Sequence, residues 1–342
     1  MDAEGRANGN IQTMERAIML ATAWRTLCAG ILSTFLLIEG AAAQESYPTR
    51  SILLTHGFAA GGNGDVISRV FADGLSTRLK QPVAVEPRPG AGGNTASARL
   101  LKSPPDGYTL VSLTGAHAVS AAIYKSLSFD PMNDFQMIST YGYFAFLIAV
   151  RSDSAIKSVA DLIKVAKSSP GKLTYSSPGV GSTQHLAGEL FASMAGVKMT
   201  HVPYRGGTGP IMDLIGGQID VSFESMSVVE PQYTGGVVRV LGVTSSNRWP
   251  SMPEIEPVAT TVPGYDVQSW MGLASPRGLP QPIVQRLYEA VRSVLADTGA
   301  VERLRKLGMN PGASTPKEME TMISSQIAKW KKVVADSKIP QR

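Results

Sequence analysis

The chain has 342 residues, 43% of them hydrophobic and 17% charged, an ordinary globular composition long enough for two domains with cores of their own. Its single cysteine, Cys28, lies in an N-terminal segment with the features of a leader, which excludes a disulfide framework, a cysteine nucleophile or a thiolate metal site from the rest. Lysine and arginine exceed aspartate and glutamate by 32 to 27, but they are scattered along the chain, and a secreted protein rarely meets nucleic acid.

The first 43 residues differ in character from the remainder. An apolar run from Leu27 to Ile38 leads into Gly40-Ala41-Ala42-Ala43-Gln44. The run spans about 12 residues, short of the roughly 20 that a membrane-spanning helix needs. With Ala41 and Ala43 placed as in an A-x-A cleavage site, residues 1–43 read as a secretory signal peptide that is removed on export to the periplasm. Removal takes three basic residues (Arg6, Arg16, Arg25) and four acidic ones (Asp2, Glu4, Glu15, Glu39) from those totals, which leaves a net charge of +6.

Strand-like apolar runs then alternate with helical patterns, the signature of parallel sheets covered by helices. Ile52 to Phe58 reads as a strand, Asp65 to Lys80 as a helix, Val83 to Val85 as a strand, Asn94 to Leu101 as a helix and Tyr108 to Leu113 as a strand, the last entered through the turn Pro105-Asp106-Gly107. A second series starts near Leu147. It runs through a helix at Val159 to Lys167, an extended segment at Leu173 to Ser176 and a helix at Thr183 to Met194, then Met199 to Tyr204, Ile211 to Ile215, Ile219 to Phe223 and Val238 to Val243. The C-terminal part reads as two packing helices, Pro282 to Leu295 and Pro316 to Asp336. The second opens on a capping box, Thr315 with Glu318, and has Pro316 as its first helical residue. Ile323, Ile327, Trp330 and Val334 form its core face, and Lys329, Lys331 and Lys332 its solvated one.

Two glycine-rich loops stand between a strand and a helix. In Gly57-Phe58-Ala59-Ala60-Gly61-Gly62-Asn63-Gly64-Asp65 the amides at the start of the following helix, together with its dipole, favour a carboxylate or phosphate. Ser176-Ser177-Pro178-Gly179-Val180-Gly181-Ser182-Thr183 adds hydroxyl donors and runs into the helix that carries His185. One such loop is commonly no more than a helix cap. Two of them, in different halves, suit two lobes gripping one anion.

Enzyme motifs are missing. Gly62-Asn63-Gly64 and Gly179-Val180-Gly181 lack the third glycine of a dinucleotide fingerprint, no segment matches a phosphate-binding loop, and there is no G-x-S-x-G elbow. None of His56, His117, His185 and His201 belongs to an H-E-x-x-H pair. His185 and Glu189 stand one helical turn apart, a spacing that suits a metal but more often belongs to a packing histidine, so no metal and no cofactor is expected.

Further stretches carry a resemblance over nearly the whole exported chain. They are Val85-Glu86-Pro87-Arg88-Pro89-Gly90-Ala91-Gly92-Gly93-Asn94, Pro105-Asp106-Gly107-Tyr108-Thr109-Leu110, Asp130-Pro131 with Asp134-Phe135, Gly181-Ser182 with His185-Leu186, His201-Val202-Pro203-Tyr204-Arg205-Gly206, and Asp213-Leu214-Ile215-Gly216-Gly217-Gln218. In these the chain resembles the Bug family of extracytoplasmic solute receptors, the binding components of tripartite tricarboxylate transporters. The resemblance implies an α/β, two-lobed Venus-flytrap fold, type II-like, each lobe a mostly parallel sheet flanked by helices. Lobe one would be 47–146 plus 270–342 and lobe two 147–269. It implies a monomer that is not an enzyme, captures a small organic acid (a di- or tricarboxylate, an amino acid or an aromatic carboxylate) and delivers it to membrane permease subunits. Signalling to a sensor kinase and a secreted hydrolase are the alternatives.

By position the resemblance gives one clamp of Phe58, Ala60, Gly61, Gly62, Asn63 and Asp65, with Asp65 a helix-start residue. It gives a second of Ser177, Gly179, Gly181, Ser182 and His185, with Tyr204 and Arg205 beside it and Arg205 a partner for the ligand carboxylate or for a surface acid. Tyr141, Tyr143 and Phe144 lie near the first crossing, where an aromatic acid could meet them. The chain departs from the family at Ala59-Ala60, where two prolines are usual, at Gly207-Thr208, and at Glu224, where an aspartate is common.

Overall fold

The computed structural model describes residues 47–342; the expected leader lies outside them. The strands are β1 (Ile52–His56), β2 (Val83–Pro87), β3 (Thr109–Thr114), β4 (Phe135–Arg151), β5 (Thr174–Ser177), β6 (Thr200–Pro203), β7 (Val221–Ser225), β8 (Val238–Val243), β9 (Gln268–Pro276) and β10 (Asn310–Pro311). The helices are α1 (Asn63–Leu79), α2 (Asn94–Leu100), α3 (Ala116–Ile123), α4 (Val159–Ser168), α5 (Thr183–Ala195), α6 (Gly209–Ile215), α7 (Met226–Thr234), α8 (Gln281–Leu295), α9 (Thr298–Lys306) and α10 (Pro316–Asp336).

The strand order is β2-β1-β3-β9-β4-β7-β5-β6, with β8 and β10 also on β4. Two parallel groups, β2-β1-β3 and β7-β5-β6, therefore stand on either side of a pair of antiparallel strands. The expectation of mostly parallel sheets holds for these outer strands; the long central ones make the whole sheet mixed. β4 explains why. Its first part, Phe135 to Ala145, pairs antiparallel with β9, and its last residues, Phe146 to Arg151, with β7 and β8. One strand thus passes from one parallel group to the other, with register shifts near Met137 and Thr140 that let it bend.

All but a few residues of β4 are buried. A strand covered on both faces shows no polar alternation, and for that reason the sequence indicates only its end near Leu147. The same applies to β9, buried from Ser269 to Pro276. The C-terminal part also needs correction: three helices follow β9, because α9 stands between the two expected. Its Asp297 side chain accepts from the Ala300 amide as an N-cap, but the charged sequence of α9 hides its narrow apolar stripe of Ala300 and Leu304.

α10 forms as its caps direct. Thr315 accepts from the Glu318 amide at 3.2 Å, and Glu318 returns the bond to the Thr315 amide at 2.8 Å. Its Met319, Ile323, Trp330 and Val334 are buried, while Lys329, Lys331 and Lys332 face solvent. The tail then returns to the end of α3, where Arg342 donates to Ile123 O at 2.8 Å and accepts from Lys125 N at 2.9 Å.

Candidate functional site

The parallel strands β1, β3, β5 and β7 end around one cleft, and each hands the chain to a helix there. Phe58, Gly62, Asn63 and Gly64 follow β1, Thr114 closes β3, Pro178, Thr183 and Gln184 follow β5, and Glu224 and Ser225 close β7; all of these line it. This is the position in which parallel α/β sheets hold ligands. Phe144, Ser269 and Met271 form the floor on the central strands, Gly206 and Gly207 the rim, and the cleft holds about 440 Å³ of space between atoms, open to solvent at its mouth.

Helix starts supply the polarity. At α1 the amides of Asp65 and Val66 both return to Gly62 O at 3.0 Å, which leaves the Asn63 and Gly64 amides at the cleft. At α5 the Ser182 hydroxyl caps His185 N at 3.2 Å and Ser182 O accepts from Leu186 N, so the Thr183 and Gln184 amides stand free of the cap. α7 begins at Ser225 and α3 just after Thr114. Positive helix ends thus face the cleft from several sides. Among the described residues no lysine, arginine or histidine lines it, and the one ionisable residue that does is Glu224.

Two loops close the rim. The Ala59 amide donates to Arg205 O at 3.1 Å, and Ala59 bridges Gly206 as a strand pair would. Gly62 sits so close beneath Gly207 that a Cβ on it would lie 2.9 Å from the Gly207 nitrogen. The Asn63 side chain accepts from Ser227 Oγ at 2.8 Å, a further link from α1 to α7.

Of the residues expected to bind, Phe58, Gly62 and Asn63 line the cleft. Ala60 and Gly61 are exposed on the loop outside it. Asp65 is buried behind the loop, where it accepts from Gly61 N and Arg69 and pairs with His56 Nε2, each at 3.0 to 3.1 Å. Burial alone would raise its carboxyl, but Arg69, the Gly61 amide and His56 hold it below the ordinary value.

In the second loop, Ser177, Gly179, Gly181 and Ser182 build the turn and do not line the cleft. Ser177 Oγ accepts from Gly179 N at 3.1 Å and bonds His201 Nε2 at 2.7 Å, and Ser182 Oγ donates to Gly179 O at 2.7 Å. What that turn presents to the cleft is Pro178, Thr183 and Gln184.

His185 faces a separate depression with Glu189, His201 and Arg342. Its ring lies 4.2 Å from that of His201. Burial, with His201 and Arg342 nearby, drives its pKa down to about 3, so the imidazole is neutral. The Tyr204 hydroxyl is held by Asp213, and Arg205 is exposed and without an ion pair among the described residues. Of the three aromatic residues near the first crossing, Phe144 lines the cleft, whereas Tyr141 stacks on Phe71 in the core and Tyr143 reaches toward Met322.

Thr114, Gln184, Ser225, Ser269, Met271, Gly206 and Gly207 line the cleft beyond that expectation. Thr114 and Ser225 had a signal, since each is a small polar residue where a strand gives way to a helix. Ser269 and Met271, in the middle of a buried strand, had none.

Residues 67–339 match the tripartite tricarboxylate transporter family receptor model. The R. palustris protein Rpa4515, solved with adipate, superposes with a TM-score of 0.83 at 34% identity, over 86% of this chain and 100% of its own. The periplasmic binding protein BugD superposes at 0.82 and 27% identity, over 86% and 100%. MatC from Rhodopseudomonas palustris, solved with bound malate, superposes at 0.78 and 29% identity, over 84% and 100%.

Proposed function

The chain belongs to the tripartite tricarboxylate transporter receptor family, the Bug solute receptors, and on that basis we propose that it captures a small dicarboxylate between two lobes and delivers it to membrane permease subunits. The lobes are residues 47–146 with 270–342, and residues 147–269. The protein works in the periplasm after cleavage of residues 1–43. Its role is capture and release without chemistry.

The observation that carries the reading is the cleft itself: strand ends and helix starts converge on a space that no cationic side chain lines. Main-chain amides with hydroxyls are a complete donor set for a carboxylate. Each helix start contributes about 0.3 to 1 kcal/mol, up to ~2 when partly buried. Micromolar affinity takes roughly 8 kcal/mol, so the direct hydrogen bonds and bridging waters of the closed cleft supply most of it. Phe58, Phe144, Pro178 and Met271 offer apolar walls for the methylenes between two carboxylates. Adipate and malate, present in two related structures, are the first acids to try.

Small molecules released from the purified exported protein, identified by mass spectrometry, followed by thermal-shift titration of those acids, test this. A released acid that raises the melting temperature with dose supports it. Turnover of the bound acid, or a flat response to every carboxylate, overturns it.

A further inference from the structure

Glu224 ends β7 and its side chain is buried, 3% exposed, against the cleft. Oε1 accepts from the Ser225 amide at 2.7 Å. Oε2 is buried and has no hydrogen-bond partner among the described residues. Such an oxygen is costly to leave unmatched in a protein interior, and a bound ligand is what the cleft can bring to it.

The charge balance decides what kind of contact it makes. An ionised Glu224 would face an anionic ligand across a space of low dielectric with no cation to offset either, and the two would repel. A protonated Glu224 has an O–H to donate, in a cleft whose other polar groups are also donors. Resting on the receptor reading, we propose that Glu224 is a specificity-determining residue that holds a ligand carboxylate as a neutral acid, its Oε2–H donating.

The surroundings support this. Burial pushes the Glu224 carboxyl up to about 7, against the smaller lowering effects of Ser225 and Gln184, and no charged group contributes. β4 places Leu147 opposite it, β5 brings Tyr175 and Ser176 onto β7, α5 brings Thr183 and Gln184, and α7 starts with Ser225. The nearby ionisable groups are engaged elsewhere: His185 against His201, Tyr175 with Glu189, Asp65 with Arg69 and His56. Arg205 is exposed on the rim loop. A carboxylic acid kept neutral in an apolar site so that it can donate is a known physical arrangement.

Calorimetric titration of the exported protein with adipate and with malate between pH 6 and 9, where both acids are ionised, tests the proposal. Affinity is expected to be level up to about pH 7 and to fall about tenfold per unit above it, because the acid form of Glu224 becomes scarce. Titrations in two buffers of different ionisation enthalpy are expected to report uptake of up to one proton near pH 8. Glu224→Gln, which keeps a donor and cannot ionise, is expected to bind without a pH slope and more tightly than the wild type at pH 9. A wild-type affinity that is level or rises with pH, or binding without proton uptake, overturns the role of Glu224 and leaves the receptor reading standing. Absence of carboxylate binding at every pH overturns the receptor reading itself.

Discussion

At the scale of single residues, the buried ionisable groups set how stability depends on pH. Burial lowers all four histidines: His117 and His201 to about 4, His185 to about 3, and His56 in the same direction. Between about pH 4.5 and 6.5 the unfolded chain therefore binds protons on His117, His185 and His201 that the folded chain leaves neutral, with His56 acting in the same direction, while the folded chain holds one on Glu224 that the unfolded chain has lost. The histidines outweigh the single acid, so stability is expected to rise with pH through about 7 and to level off between about 7 and 8. Glu224→Gln removes the opposing contribution of the acid, so the rise is steeper and stability at pH 8 is higher, by at most on the order of 3 kcal/mol. Melting temperatures of the unliganded protein across pH 4.5 to 8.5 check both signs. A maximum below pH 5 would mean that the histidines are solvated in the folded state. Glu224 also shows where reading by resemblance stops. The sequence marks it as a departure from a common aspartate; that one of its oxygens is buried and unpartnered beside the cleft depends on β7 ending where α5 and α7 begin.

At the scale of elements, the caps carry much of what could be foreseen. α10 starts at the residue its capping box indicates, and α4 starts behind Ser158, whose side chain accepts from Asp161 N. Thr315→Ala is expected to cost about 1 kcal/mol, a fall of about 2 °C in melting temperature for a chain of this size; no fall at all would show that α10 is held by packing alone. Elements without caps or periodicity were not legible. α3 is small and apolar on nearly every face, α7 carries Pro231 in its interior, and β4 and β9 lack alternation because both their faces are covered. The site follows the same division. The loop after β1 was legible because its glycines precede a helix, and Phe58, Gly62 and Asn63 do line the cleft. In the loop after β5 the glycines and serines were legible as a motif, but they hold the turn together, and the residues they push toward the cleft are Pro178, Thr183 and Gln184.

At the scale of the molecule, the rim contacts join the loop after β1 to the loop after β6, while in the sheet the parallel groups to which those strands belong are linked through the central strands. Gly62 has φ of −83°, a conformation open to alanine, so Gly62→Ala tests spacing alone. Its methyl would press on Gly207 and hold the rims apart, and overpacking of this kind costs about 1 to 3 kcal/mol. Ligand affinity is expected to fall about tenfold or more while the melting temperature of the unliganded protein changes little; unchanged affinity would mean that the rims need not meet during capture. The central claim is that a cleft without cations captures a carboxylate through main-chain and hydroxyl donors. The most direct test is calorimetric titration at pH 6.5 with adipate and, side by side, with adipamide, its uncharged diamide. Micromolar binding of adipate with no measurable binding of adipamide is the predicted result. Equal binding of the two, or binding of adipamide alone, would contradict it.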